Sequence, residues 1–232
     1  MAPLVPVLVA SICAGVQLIA LAANAFMSVP PSKIFPVQTQ YFGRLTFLTV
    51  QSNLLMTAYS ASLLLLCFHP DPEVGALLLR LFPLHFALGA FLTAAYYLLD
   101  HFNEDNVKKR QLWEKDYPFV HLAAHLEHGL ALPAVLYLCF QFPTGPGTLP
   151  PLPSDQDVLV FVGGYVAFYM AQTHLNKALT GLWVYPIFDD VTRKAGALGR
   201  CAFLVVLTTI VVLLGFGGRK LLEMRISGEI AS

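Results

Sequence analysis

The sequence predicts an all-α fold: a polytopic membrane bundle of six transmembrane helices, a single integral membrane domain over residues 1–232. Three observations carry that expectation. Of 232 residues, 56% are hydrophobic and 12% charged, about half the charge of an ordinary soluble domain. Mean hydropathy is +0.65. Several apolar runs approach or exceed the roughly 20 residues that cross a bilayer as a helix. Net charge is zero, from 14 basic and 14 acidic residues, so the basic footprint of a nucleic-acid-binding protein is missing.

The expected spans lie at about residues 4–27, 45–68, 76–99, 119–142, 158–178 and 198–216. The first has a signal-peptide look at Ala23-Asn24-Ala25. No Lys or Arg precedes it, however, and its apolar length exceeds a typical signal core, so it is expected to be a membrane helix. Pro30, Pro31 and Pro36 mark residues 28–43 as a connection. The second span ends at His69-Pro70-Asp71-Pro72, a strong breaker. The third carries Arg80 near its start, where a long side chain snorkels. Residues 100–116, DHFNEDNVKKRQLWEKD, are the most charged stretch and are expected to be a loop. The PTGPGTLPPLPSDQD stretch that follows span four is too rich in Pro and Gly for a regular element. Residues 189–197 are expected to be a short loop before the last span.

Cys13, Cys67, Cys139 and Cys201 sit in or beside apolar runs without metal-ligand spacing, and are expected as small buried hydrophobes. Loops one, three and five with their flanks hold nine basic residues: Lys33, Arg44, Lys108, Lys109, Arg110, Lys115, Arg193, Lys194 and Arg200. The even loops hold none. That balance places the odd loops in the cytosol and the termini outside.

Function is sought where polar side chains interrupt the apolar runs, because ionisable groups at membrane depth are expensive. Phe119 to Pro133, FVHLAAHLEHGLALP, places His121, His125 and His128 at offsets of four and seven residues, one face of a regular helix. Glu127 turns about 100° away and could pair with Arg80 or another cation. Span two carries Thr46, Thr49, Asn53, Thr57 and Ser60 as a polar stripe. For Thr57 and Ser60 the expected role is helix–helix contact; Thr46 and Asn53 divide between that role and a site. Span three contributes His85, with Gly89, Thr93 and Tyr96 on roughly its face.

Several chemistries fit these residues. The three histidines could bind a metal for intramembrane lipid hydrolysis or oxidation, given an open coordination position. One histidine could instead be a general base for a hydroxyl nucleophile, with Thr46 the attractive partner. The histidines could also only join helices, as in a non-enzymatic membrane regulatory protein.

Three blocks resemble the androgen-induced protein / androgen-dependent TFPI-regulating protein family of six-span membrane proteins. They are Leu45-Thr46-Phe47; Asp116 followed by His125-x-x-His128-x-x-x-Leu132-Pro133; and Thr180-Gly181-Leu182-Trp183-Val184-Tyr185-Pro186. Order and spacing match across most of the chain. The resemblance implies a threonine hydrolase of fatty acid esters of hydroxy fatty acids, with Thr46 as nucleophile, His128 as base and no cofactor. It implies a fatty-acyl ester substrate, membrane lipids as surroundings, and a multi-pass protein of the endoplasmic reticulum or plasma membrane. Family members keep their termini in the cytosol, opposite to the Lys/Arg balance here. Asn53, His85, His121, His125, Trp183 and Tyr185 are expected to position substrate or support the pair. Lys33, Arg44 or His121 could meet the substrate carboxylate, and Asn53 or a backbone N–H the oxyanion. Oligomeric state is left open. His128 lies nine residues past Phe119, about 14 Å along a helix, whereas Thr46 lies near the start of its span. An offset between the two spans is therefore expected.

Overall fold

The computed structural model describes residues 41–115, 118, 120–141, 151–185 and 187–227, with residues 8, 12 and 15. Apart from those three residues the expected first span lies outside the described residues, as do Lys33, Asp116 and Pro186 and the side chains of Arg44 and Cys67. Among the described residues the chain is helical, with no strand. A 3₁₀ turn, Gly43–Thr46, leads into α1, Leu48–Phe68. Then come α2, Pro72–His101, and α3, Glu104–Glu114. Next is α4, residues 120–141, then α5, Asp155–Thr180, and α6, Ile187–Ser227.

Among the described residues, four helices are long and apolar enough to cross a membrane: Pro72–His101, His121–Cys139, Asp155–Thr180 and Ile187–Ser227. The protein is membrane-integral. α1 is not one of the four; Gln51, Ser52, Asn53, Thr57, Tyr59 and Ser60 interrupt its apolar run.

The breaker at residues 69–72 also starts the next helix. The Asp71 carboxylate accepts the N–H groups of Glu73 and Val74 at 2.9 and 3.1 Å, and Pro72 takes the first helical position, where its missing N–H costs nothing. α2 is the central helix. Its Leu79, Phe82 and Leu92 pack with Met56 of α1, Val135 and Cys139 of α4 and Leu222 of α6. Its Leu84, Ala87 and Leu88 pack with Val158, Val162 and Val166 of α5 and Val211 of α6. Leu198, Val205 and Leu213 point outward, the side a membrane helix offers to lipid. Cys139 is buried as expected, but Cys201 is exposed on α6.

Between lipid-bathed helices, close packing replaces the hydrophobic effect as the source of association. Gly89 shows it: a Cβ there would stand 3.0 Å from the Ala131 carbonyl oxygen of α4. Gly89→Ala is expected to force α2 and α4 apart, costing about 1–3 kcal/mol, seen as a lower melting temperature in detergent.

Two segments expected as loops are helices. Residues 104–114 form α3 because the Asn103 side chain accepts the N–H groups of Asp105 and Asn106 at 3.1 and 3.2 Å, with Glu104 and Asp105 in the first turn. Residues 189–195 belong to α6, where Asp189 and Asp190 fill the first turn and Arg193 pairs with Asp190 at 2.5 Å. The helix breaks instead at Gly196, whose φ of 66° favours a residue without Cβ.

Candidate active site

The histidine segment does not wind as a regular helix. It is α over Val120–Ala124, π over His125–Gly129 and α again over Ala131–Gln141. Pro133 has no N–H to offer the turn before it, and Thr93 of α2 inserts just upstream. Its hydroxyl donates to the His128 carbonyl at 2.6 Å and accepts the Leu132 N–H at 3.2 Å, bridging a gap in the helical ladder. Asn53 of α1 donates its side-chain N–H to the Glu127 carbonyl at 3.1 Å. Backbone groups loosened by the π turn are thus taken up by two neighbouring helices.

The π turn also disperses the three histidines that a regular helix would align. His121 lies 3.4 Å from the Glu114 carboxylate. His125 Nδ1 lies 3.0 Å from the Tyr97 hydroxyl. His128 turns to α1. Among the described residues no three His, Cys, Asp or Glu side chains are grouped to hold a metal ion. Arg80 pairs with Asp157 at 2.7 Å rather than with Glu127.

His128 has a defined tautomer. Its Nδ1 lies 2.8 Å from the Ala124 carbonyl; a carbonyl only accepts, so Nδ1 carries the hydrogen. In the neutral ring Nε2 is then the acceptor, and the Thr49 hydroxyl donates to it at 3.2 Å. The Tyr96 ring stacks on the imidazole, 4.5 Å between centroids and 14° between planes. The Arg110 guanidinium stands 6.0 Å from the Tyr96 ring.

Thr46 sits at the end of the 3₁₀ turn, before the extended Phe47, so helical winding starts at Leu48. It is fully buried, and its hydroxyl has no hydrogen-bond partner among the described residues. It is therefore not hydrogen-bonded to His128; Thr49, three residues on, fills that position. The turn is held from α5. Tyr169 donates to the Thr46 carbonyl at 3.1 Å, and Gln172 and Gln51 both donate to the Leu45 carbonyl, at 3.3 and 2.5 Å.

The TGLWVY block explains itself locally. Gly181, at φ 74°, closes α5 with its N–H on the Lys177 carbonyl at 2.9 Å, a left-handed cap that glycine suits. The chain then turns back, and the Tyr185 hydroxyl accepts the first N–H of α1, from Leu48, at 3.1 Å. Burial pushes the Tyr185 phenol above its ordinary range, so it stays neutral. Trp183 does not reach His128. It is buried between Arg200 and Lys177, at 5.1 and 5.6 Å from its ring, and pins the α5–α6 connection.

His85 is also apart, packed 4.1 Å from the Tyr59 ring, with Nδ1 unpaired among the described residues. Asn53 and Tyr185 thus shape the site; His85, His121 and Trp183 do not enter it, and His125 borders it through Tyr97. Thr57, expected at a helix contact, has no hydrogen-bond partner among the described residues. Thr49, Thr93 and Tyr96 were visible on polar helical faces, though nothing in their spacing set them above their neighbours. Tyr169 and Gln172 carried no signal at all.

A half-buried histidine and two threonines where α1, α2, α4 and α5 meet define a membrane-integral helical protein with a polar site inside the bundle. The chain belongs to the FAR-17a/AIG1-like protein family, whose model matches residues 9–223. No curated protein and no solved structure matches it.

Proposed function

We propose that the protein is an intramembrane lipid-ester hydrolase of the endoplasmic reticulum or plasma membrane that cleaves fatty acid esters of hydroxy fatty acids. Thr46 is the nucleophile and His128 the base. The observation that carries this reading is His128 itself, with Nδ1–H held by the Ala124 carbonyl and Nε2 turned to the first turn of α1, where it meets the Thr49 hydroxyl. A neutral imidazole so oriented accepts a proton without burying a permanent charge. The buried, unpartnered Thr46 hydroxyl supports the same reading. An unmade hydrogen bond there costs about 1–3 kcal/mol, a penalty more readily kept at a working site than in a structural one.

Thr46 Oγ attacks the ester carbonyl carbon as its proton passes toward His128. The tetrahedral intermediate collapses, the imidazolium protonates the departing hydroxy fatty acid, and an acyl-threonine remains. Water, deprotonated by His128, then releases the second fatty acid. Asn53 spends one of its two N–H donors on the Glu127 carbonyl, so the oxyanion falls to the opening turn of α1 beyond Leu48, whose cap residue Phe47 offers no side-chain acceptor. Both acyl chains of such a substrate stay in lipid while the ester enters the bundle.

A fluorophosphonate probe tests the nucleophile. A single adduct mapped to Thr46, and lost in Thr46→Ala, is the expected result. Labelling that persists in Thr46→Ala, or none in a protein that hydrolyses the ester, would remove the assignment.

A further inference from the structure

We infer that Thr49 is a proton relay between Thr46 and His128. The inference rests on the hydrolase reading and adds a residue to it. In the resting site the hydrogen at His128 Nε2 comes from Thr49, at 3.2 Å, while the Thr46 hydroxyl is hydrogen-bonded to neither. Thr46 stands before the extended Phe47, at the mouth of the helix, and Thr49 is in its first turn. A hydroxyl donates one hydrogen and keeps lone pairs to accept another. Thr49 can therefore receive a proton on the oxygen that gives its own away.

The step balances. The Thr46 Oγ–acyl carbon bond forms, and the carbonyl π pair moves to oxygen. The Thr46 proton passes to Thr49 Oγ, and the Thr49 proton passes to Nε2. Thr49 ends the step as a neutral hydroxyl, carrying the Thr46 proton in place of its own, and the imidazolium gives its Nε2 proton to the leaving alkoxide. The relay asks only that the Thr46 hydroxyl reach a residue three places along its own backbone, rather than cross to α4. Thr49, three residues further into α1, is the threonine that reaches the base.

The test uses purified full-length protein and the palmitic ester of a hydroxystearic acid. Thr49→Ser keeps the hydroxyl and is expected to stay within about threefold of the wild-type kcat. Thr49→Val keeps the shape without the hydroxyl and is expected to lose about 100-fold, the lower end of what general-base transfer supplies. Thr49→Ala serves if the valine variant does not fold, with loss in the same direction. The decisive readout is the dependence of kcat on the deuterium fraction of the solvent. Two protons moving together bend the plot, one leaves it straight; the wild type and Thr49→Ser should bend, and the residual rate of Thr49→Val should not. A packing role for Thr49 would lower kcat without straightening the plot. Wild-type kcat in Thr49→Val, with Thr46→Ala and His128→Ala inactive, would overturn the relay alone. Activity in all three would overturn the hydrolase pairing and the relay with it. A fluorophosphonate adduct on Thr49 would make Thr49 the nucleophile and end the relay.

Discussion

His128→Ala is expected to lower ester hydrolysis by about 10²–10⁴-fold, the contribution of a positioned general base, with Thr46→Ala at least as damaging. The double variant should be no worse than the poorer single one, because nucleophile and base act as a unit. The structural reason is the fixed tautomer. With Nδ1–H on the Ala124 carbonyl, the base-competent ring is the neutral one, and a proton on Nε2 removes its only lone pair. Wild-type kcat/KM should therefore fall on the acid side, and that limb should vanish from any residual activity of His128→Ala. Retention of the acid limb in the variant would assign it to another group. Hydrolysis in membranes bearing each variant, across a pH series, is the measurement.

Arg110→Ala is expected to destabilise the bundle by about 2 kcal/mol and to lower kcat without touching substrate. Arg110 is buried and forms an ion pair with Asp100, while its second terminal nitrogen donates to the carbonyls of Asp100 and His101 at 3.2 and 2.6 Å. Removing one partner of a buried pair costs about 3–5 kcal/mol; Asp100 is 38% exposed, so water offsets part of that. The carbonyls Arg110 binds end α2, whose last turn, Tyr96–His101, is itself π-wound. That turn carries both tyrosines that meet α4: Tyr96 stacks on His128, and Tyr97 bonds His125. Loss of Arg110 should loosen the stack and blur the orientation of the base. Arg110→Lys should recover little, since a single ammonium cannot span the carboxylate and two carbonyls as the planar guanidinium does. Thermal unfolding in detergent and kcat check both effects. Unchanged kcat in a destabilised Arg110→Ala would confine Arg110 to a structural role.

The membrane character, the breaker at residues 69–72 and the three family blocks were readable because each is a local property. Apolar length, Pro and Gly placement, and left-handed caps such as Gly181 act within a few residues of chain. Asn103 before Glu104-Asp105, and Asp189-Asp190 after the aromatic block, were also readable as helix starts. Charge density led both segments to be expected as loops, although charge on a capped helix at a membrane surface is no obstacle. Arg110 then shows what that helix is for.

Which threonine faces His128 was decided only in three dimensions. Periodicity aligned His121, His125 and His128 because it assumes 3.6 residues per turn. Pro133 weakens that winding, but the π turn over His125–Gly129 is held by side chains of other helices, Thr93 on the His128 carbonyl and Asn53 on that of Glu127. The start of α1 is set in the same way, by Tyr169, Gln172 and Tyr185 more than 120 residues downstream. Sequence by itself determined that a histidine inside an apolar run and a polar face of α1 exist in this chain. The tertiary structure determined their register, because bonds between helices, unlike a helical period, leave no regular spacing in the chain.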